Sequence, residues 1–335
     1  MLAIVLVTYR SWELLTENIS GLYDDVYGEN SSVQDWEIVV VDNDCGEPEK
    51  SEEFQSRFPK VTVVTAHGDY GYGYGGNRGA DASKNPYLVF GSADLTAPVA
   101  AFQALLQARL DNPDYAILTA PQQGLNGKLQ RATASFTKLW NYFGWIRAIR
   151  KIVSNKSTFD PRNPPADLSE IVPVEWVSGS LVLISRDDFE AVGGWNEKFW
   201  LYCEDEDLCR RVHKAGQRVG YFPGPVFTHI HATSTRGTPQ ETALYKSETV
   251  LSKQVYLSLH EDNAQGRLLK KLIRLQSYLS FPVYSLLSLI TGRSVNKLEI
   301  QRLIHKRLVA YYARVNRTGY EISEHAAAYD PPSKL

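Results

Sequence analysis

Cysteine is scarce in this chain, and neither sign of charge dominates. Three cysteines, Cys45, Cys203 and Cys209, among 335 residues form an odd, sparse set, which argues against a disulfide framework and fits a reducing, cytoplasmic setting. The net charge is only −2. It leaves no strong positive excess for a nucleic-acid backbone, so no nucleic-acid partner is expected. No stretch reaches the roughly 18 uninterrupted apolar residues that mark a membrane span. The opening run MLAIVLVTYR is apolar, but no basic segment precedes it and no small-residue cleavage site follows, so it reads as a buried strand and not as a signal peptide. Glycine is missing from the first strand-to-helix turn, VTYRSW, which removes the fingerprint that a nucleotide-dependent oxidoreductase would need there.

What is present belongs to a folded protein: 43% of residues are hydrophobic and 22% charged, a balance that excludes wholesale disorder. LAIVLVTY (2–9), WEIVVVDND (36–44), VTVVTAH (61–67) and PYLVFGSAD (86–94) are apolar, β-branched runs of the kind covered on both faces in a parallel sheet. Helical stretches are expected at about 11–24 and 75–85. Strand–helix alternation of this sort predicts an α/β fold with a mostly parallel central sheet. Ligands of such sheets bind beyond the carboxyl ends of the strands, where Thr8, Tyr9, Asp42, Asn43 and Asp94 fall. Residues 120–172, with Trp140, Trp145, the basic residues Arg147, Arg150 and Lys151, and RNPPAD (162–167), read as an irregular insertion. Regular structure resumes at VEWVSGSLVLISR (174–186).

Chemistry concentrates in three places. Glu204-Asp205-Glu206-Asp207 precedes a helical pattern and is flanked by Trp195, Phe199, Trp200 and Tyr202. Carboxylates stabilise a helix N-terminus through its dipole, yet the aromatic surround also suits a carboxylate tuned to take a proton from a hydroxyl. Asp94 ends a strand, and His229 and His231 lie two apart in FTHIHATST, on one side of a strand; carboxylate with imidazole suits Mn²⁺ or Mg²⁺ carrying a diphosphate. GYGYGGNRG (71–79) offers backbone N–H groups that could cradle phosphate at the start of the next helix.

Taken in order, VLVTYRSWELL, EIVVVDND, GYGYGGNRGAD, YLVFGSAD, SGSLVLISRDDFEAVGGWNEKFWLYCEDEDLCRRVHKAGQRV and HIHATST resemble family-2 glycosyltransferases of the GT-A fold, in the bacterial rhamnosyltransferase-like branch that builds surface polysaccharides. The resemblance covers roughly residues 1–235. It implies an inverting transferase that carries a sugar from a nucleotide diphosphate to a glycan or lipid-linked glycan. By position, it implies that Thr8, Tyr9, Arg10, Asp42, Asn43, Gly75, Asn77, Arg78 and Asp94 hold the nucleotide-sugar. Trp176, Ser178, Gly179, Trp195, Glu204 and Asp207 would meet the acceptor or brace the base, Asp205 would be the base, and Arg210 or Arg211 would reach the diphosphate or pair with an acid. The divalent metal, Mn²⁺ or Mg²⁺, would sit on Asp94 with His229 or His231. The family's acidic triplet reads Ser92-Ala93-Asp94 here, with one acid. That departure keeps a degenerate glycan- or nucleotide-binding module open beside the enzyme. The branch points to dTDP-rhamnose as donor; galactofuranosyl, glucosyl or N-acetylhexosaminyl donors on UDP are the alternatives.

The expected organisation is a catalytic domain over 1–240, with a nucleotide-sugar half to about 119 and an acceptor half after it. A basic helical region follows over 241–325, and a flexible tail over 326–335. Residues 264–317 carry eleven Lys and Arg against one acid, Glu299. An apolar helix so flanked can contact anionic membrane at the inner face of the plasma membrane; the alternative is a helical appendage that packs on the catalytic domain or pairs as a homodimer.

Overall fold

The computed structural model describes residues 1–44, 46–66, 68–138, 159–230, 238–291, 295–318 and 321–326. The chain divides into two compact units. The first is an α/β unit. Its elements run β1 (Leu2–Thr8), α1 (Trp12–Tyr27), β2 (Trp36–Asp42), α2 (Pro48–Arg57), β3 (Thr62–Thr65), α3 (Tyr72–Asp81), β4 (Tyr87–Ser92), β5 (Leu95–Thr96), α4 (Val99–Asp111), β6 (Tyr115–Thr119), β7 (Gln122–Gln123), β8 (Thr133–Ala134), β9 (Val172–Pro173), β10 (Trp176–Val177), β11 (Leu181–Ser185), α5 (Arg186–Ala191), α6 (Glu204–Lys214), β12 (Arg218–Tyr221) and β13 (Phe227–His229).

Eight strands form the central sheet in the order β3-β2-β1-β4-β11-β6-β12-β9. The half made of β3, β2, β1 and β4 is parallel; β11 runs antiparallel between β4 and β6. The mostly parallel sheet expected from the apolar runs is therefore present, with β11 reversing the direction beyond β4. Every residue of β1 is buried, the pattern of a strand covered on both faces. Thr8 is paired with Asp42 in register, so the ends of β1 and β2 finish level. A small sheet, β5-β13-β7, brings His229 beside Leu95.

The glycine-rich run is not a loop ahead of a helix, as the expected 75–85 boundary had it, but the opening turns of the helix itself, α3 (Tyr72–Asp81). Its glycines are explained by close approach. A Cβ on Gly79 would stand 2.3 Å from Val5 Cγ1 and 3.0 Å from Val41 Cγ2, and one on Gly76 would stand 2.8 Å from the Trp195 ring. Only a surface without Cβ atoms lets α3 lie this near β1 and β2. The Gly79→Ala variant is therefore expected to lose about 1–2 kcal/mol of stability through overpacking, even though alanine gains about 1 kcal/mol over glycine in a helix interior. Gly21 in α1 is the control: its Cβ would meet nothing within 4 Å, so Gly21→Ala should stabilise. Urea unfolding midpoints that moved the same way for both variants would refute this account.

The second unit includes the segment Lys198–Cys203 and three long helices: α7 (Pro239–His260), α8 (Ala264–Ile290) and α9 (Asn296–Thr318). Helix α7 opens on a capping box in which Thr238 accepts from the Glu241 N–H and Glu241 accepts from the Thr238 N–H. Helix α8 opens on Asn263, whose side chain accepts from Gly266 N–H at 2.9 Å. Leu251, Ile304, Leu308 and Tyr312 centre one cluster of its core, and Leu257, Leu269 and Ile273 another. Trp200 stacks on Tyr245, and Ser252 donates to the Leu201 carbonyl at 2.7 Å. Trp140, Trp145, Arg147, Arg150, Lys151 and the tail from 327 onward lie outside the described residues.

Candidate active site

The carboxyl ends of β1, β2 and β4 supply the first group of residues. Thr8, Asp42 and Asn43 are buried there, while Tyr9 is 37% exposed. The Asn43 N–H donates to the Thr8 carbonyl at 2.9 Å, and its side-chain amide donates to the Gly71 carbonyl at 3.2 Å, tying the strand ends to the turn that starts α3. Arg10 adopts a left-handed backbone, with φ of +50°. It grips Asp44 through Nε at 2.9 Å and lies over the Tyr9 ring. Gly75 packs against Val7 and Asn43.

Asn77 and Arg78 face another way within the unit. Asn77 clamps the backbone of Trp195, accepting from its N–H at 2.9 Å and donating to its carbonyl at 3.0 Å. Arg78 pairs with Glu197 at 3.1 Å and lies over the Tyr74 ring. Both therefore fasten the Trp195 segment to α3.

Asp94 and His229 meet. The imidazole Nε2 lies 3.2 Å from Asp94 Oδ1 and 3.3 Å from Ser92 Oγ. The pairing of β13 with β5 and a hydrogen bond from Ile230 N–H to the Asp94 carbonyl at 3.2 Å hold this arrangement. Burial would raise the Asp94 carboxyl, but the hydrogen bond and charge of His229, with a bond from Ser92, outweigh it and hold the group at about 2. One carboxylate oxygen and one imidazole nitrogen converge within 3.2 Å, a mixed donor pair that suits Mn²⁺ or Mg²⁺ with diphosphate oxygens completing the shell. Among the described residues no group of three or more His, Cys, Asp or Glu side chains forms a metal cage. His231 lies outside the described residues. Ser92, passed over in the sequence because it replaces an acid, is the third side chain at this corner.

All four acids of the EDED block lie in the first turn of α6, and Arg211, His213 and Lys214 in its last, so the helix dipole is served at both ends. The four differ in surroundings. Glu204, Glu206 and Asp207 are buried, whereas Asp205 keeps partial exposure. Its carboxylate is held by two backbone donors, Gly179 N–H at 3.0 Å on Oδ2 and Glu206 N–H at 2.8 Å on Oδ1. Burial still pushes its pKa above the usual aspartate range against those bonds. Glu204 is pushed up as well, by burial first and then by the charges of Asp205 and Asp207. Asp207 is spent on structure. It accepts from Arg211 Nε at 2.7 Å and from the Asn196 amide at 3.3 Å. Arg211 continues to the carbonyls of Val192 and Gly194. Arg210 lies over the Phe136 ring.

Tyr72 joins these groups. Its hydroxyl donates to the Gly179 carbonyl at 2.7 Å, one peptide unit from the N–H that holds Asp205. Burial raises its pKa, and the negative charges of Glu204, Asp205 and Asp94 raise it further, so the Asp205 end and the Asp94 end of the site both act on one phenol. In the sequence the glycines of GYGYGG take the attention and the tyrosine between them goes unassigned; its signal is an aromatic alternating with glycine at the edge of the nucleotide loop. Trp195, expected at the acceptor, is 1% exposed and packs edge-on to Tyr72 and Phe90. It underlies the site. Trp176 is half-buried and donates to the Ser135 carbonyl at 3.0 Å, while Ser178 accepts from Ser180 Oγ at 3.0 Å.

Residues 3–162 match the model of glycosyl transferase family 2, and residues 168–233 match the N-terminal domain of galactosyltransferase. Just under half of the chain is thus similar to glycosyl transferase family 2. Two of the chain's curated relatives are named as rhamnosyltransferases. It is 26% identical over 209 residues to the N-acetylglucosaminyl-diphospho-decaprenol L-rhamnosyltransferase of Mycobacterium tuberculosis, across 55% of this chain and 63% of that protein; it thus spans less than two thirds of that relative's length. It is 43% identical over 58 residues to rhamnosyltransferase WbbL of Escherichia coli, across 17% of this chain and 21% of that one. Among solved structures it resembles the mannosyltransferase of Pyrobaculum calidifontis in complex with GDP-Man and Mn²⁺. The TM-score is 0.50 at 14% identity, over 93% of this chain and 86% of that one, which shows the GT-A fold.

Proposed function

We propose that the protein is a glycosyltransferase that inverts the anomeric centre as it moves a sugar from a nucleotide diphosphate to a hydroxyl of a lipid-linked or growing surface glycan. Rhamnose from dTDP-rhamnose is the donor we favour, because two relatives are named as rhamnosyltransferases. A lipid-linked acceptor would set the reaction at the inner face of a membrane. The observation that carries the reading is the state of Asp205: it is the one acid of the four that keeps partial exposure, on a carboxylate fixed by two backbone N–H groups and raised in pKa by burial.

In this mechanism Asp205 accepts the proton of the acceptor hydroxyl. The freed oxygen forms its bond to the anomeric carbon from the face opposite the diphosphate, and the nucleotide diphosphate departs with the bonding electrons. Burial raises both carboxyls, and the charge of Asp205 raises Glu204 as well, so the two titrate as a coupled pair. Thr8, Asp42 and Asn43 line the strand ends where base and ribose would lie. Asp94 and His229 would hold Mn²⁺ or Mg²⁺, which supplies charge stabilisation to the diphosphate when bound.

Nucleotide binding to the native state raises the melting temperature by mass action, by about 2.7 kcal/mol of stability at 100 times the dissociation constant. We expect dTDP to raise Tm, and Mn²⁺ or Mg²⁺ to enlarge that shift. His229→Ala should keep the nucleotide shift and lose the metal increment. A larger response to UDP would transfer the donor assignment to a UDP-sugar. Silence with dTDP, UDP and GDP at millimolar concentration would overturn the transferase reading in favour of a binding module.

A further inference from the structure

Helix α8 is apolar on two opposite faces. Leu269, Ile273 and Ser277 are buried on one. On the other, Leu268, Leu275, Leu279, Leu286 and Ile290 follow one another at intervals of 7, 4, 7 and 4 residues, the spacing that keeps side chains in one stripe of a helix. Their exposure reaches 62% at Leu279, 59% at Leu286 and 71% at Ile290. Such a stripe costs solvation unless something covers it. No described helix is long and apolar enough to cross a membrane.

A basic cavity of about 160 Å³ lies along the same helix. Arg267, Lys270, Lys271 and Arg274 line it with Tyr311 and Tyr312. Glu321 is its one acid among the described residues, and Lys270 occupies it at 2.8 Å. Arg274 meets the neutral amide oxygen of Asn316 and lies over the Tyr278 and Tyr312 rings, so its charge stays uncompensated at that contact. Lys271 is exposed.

We propose that this surface docks on an anionic lipid bilayer: the outer stripe of α8 enters the headgroup and acyl boundary, and the cavity receives the phosphate of an anionic headgroup. Charge decides the occupant. A second copy of this chain would bring the same cations, Arg267, Lys270, Lys271 and Arg274, to a cavity lined by their like, with Glu321 the one acid there among the described residues to offset them. An anionic leaflet is complementary to both features, taking the apolar stripe by burial and the cations by attraction. Sugar transfer plays no part in this inference, and its test does not read activity.

The full-length protein is floated with vesicles of phosphatidylcholine alone and of phosphatidylcholine with phosphatidylglycerol. Binding is expected to the anionic vesicles and not to the neutral ones. Lys271→Gln with Arg274→Gln should weaken it by roughly 30-fold, at the worth of a basic residue near such a surface. Leu279→Glu with Leu286→Glu should abolish it while the circular dichroism spectrum and melting temperature hold. These leucines are solvent-exposed, so the substitution leaves the folded core intact. Equal binding to both vesicle types, or binding that survives both double variants, would overturn the proposal. So would loss of a dimer, seen by sedimentation without vesicles, in the leucine variant of a protein that ignores lipid; the stripe would then belong to a second copy.

Discussion

Replacing Asp205 with asparagine is expected to lower kcat by about three orders of magnitude, the middle to upper part of the range that a positioned general base contributes. Nucleotide affinity and melting temperature should stay close to those of the parent. The reason lies in what the amide keeps. Its oxygen can still accept one of the two backbone bonds that now come from Gly179 and Glu206 at 3.0 and 2.8 Å. The bond given up is offset by removing a charge that burial already disfavours. What an amide cannot do is accept a proton from the acceptor hydroxyl. Glu204→Gln separates the two acids. If Glu204 only braces the base, its variant should retain activity to within about tenfold. A parent-like kcat in Asp205→Asn, together with collapse in Glu204→Gln, would move the base one residue back.

The pH dependence follows from the same burial. A base must be ionised to act, and burial lifts Asp205 above the usual aspartate range, so kcat/KM should rise with pH through an apparent value higher than an ordinary aspartate's. That value belongs to the coupled Glu204–Asp205 pair. Stability runs the opposite way at Glu204. Its folded pKa lies well above the ordinary glutamate value, so the native state holds the proton after the unfolded chain has lost it. Stability therefore falls as pH climbs from the unfolded value toward the folded one. Glu204→Gln should remove that slope, gaining most stability over the parent at the upper end of the window. Unfolding midpoints for the two proteins across pH 4 to 8 measure this; parallel curves would show that Glu204 is not perturbed.

The strand ends were legible because burial on both faces leaves a continuous apolar run. LAIVLVT and WEIVVVD could hardly be anything else, and a doubly covered sheet puts Thr8, Asp42 and Asn43 at the carboxyl ends of its strands. A carboxylate–imidazole pairing at Asp94 was legible from residue type, with His229 and His231 both open; the meeting of Asp94 with His229 across 134 intervening positions is set by β13 lying against β5. The glycine run misled for a physical reason. Glycine is a poor helix former, so local propensity reads a loop, yet the tertiary demand of Val5, Val41 and Trp195 for a surface free of Cβ atoms overrides it. Tyr72 was hidden by the same glycines. The separate surroundings of the four acids could not be read either. Adjacent identical charges look alike in a string, and only the turn of α6 exposes Asp205 while sinking Glu204, Glu206 and Asp207.

Arg211 supplies the largest expected change in stability. Its guanidinium meets Asp207 at 2.7 Å and reaches the carbonyls of Val192 and Gly194. Those carbonyls bracket a turn in which Gly193 and Gly194 hold φ of +81° and +66°. The Asp207 side chain is 1% exposed. Arg211→Met would take from that buried carboxylate its guanidinium at 2.7 Å and from two carbonyls their Arg211 donor. Breaking a buried pair from one side costs about 3–5 kcal/mol. Arg211→Met with Asp207→Asn should recover part of the loss, because the second change removes the stranded charge. The turn that Arg211 clamps leads into Trp195, the ring under Tyr72, so the single variant should also lose turnover, and the double variant should regain stability ahead of activity. Equilibrium urea unfolding of the three proteins, with transfer assays at one temperature, tests both statements. A single variant within about 1 kcal/mol of the parent would show that the Asp207 carboxylate is solvated well enough to stand alone.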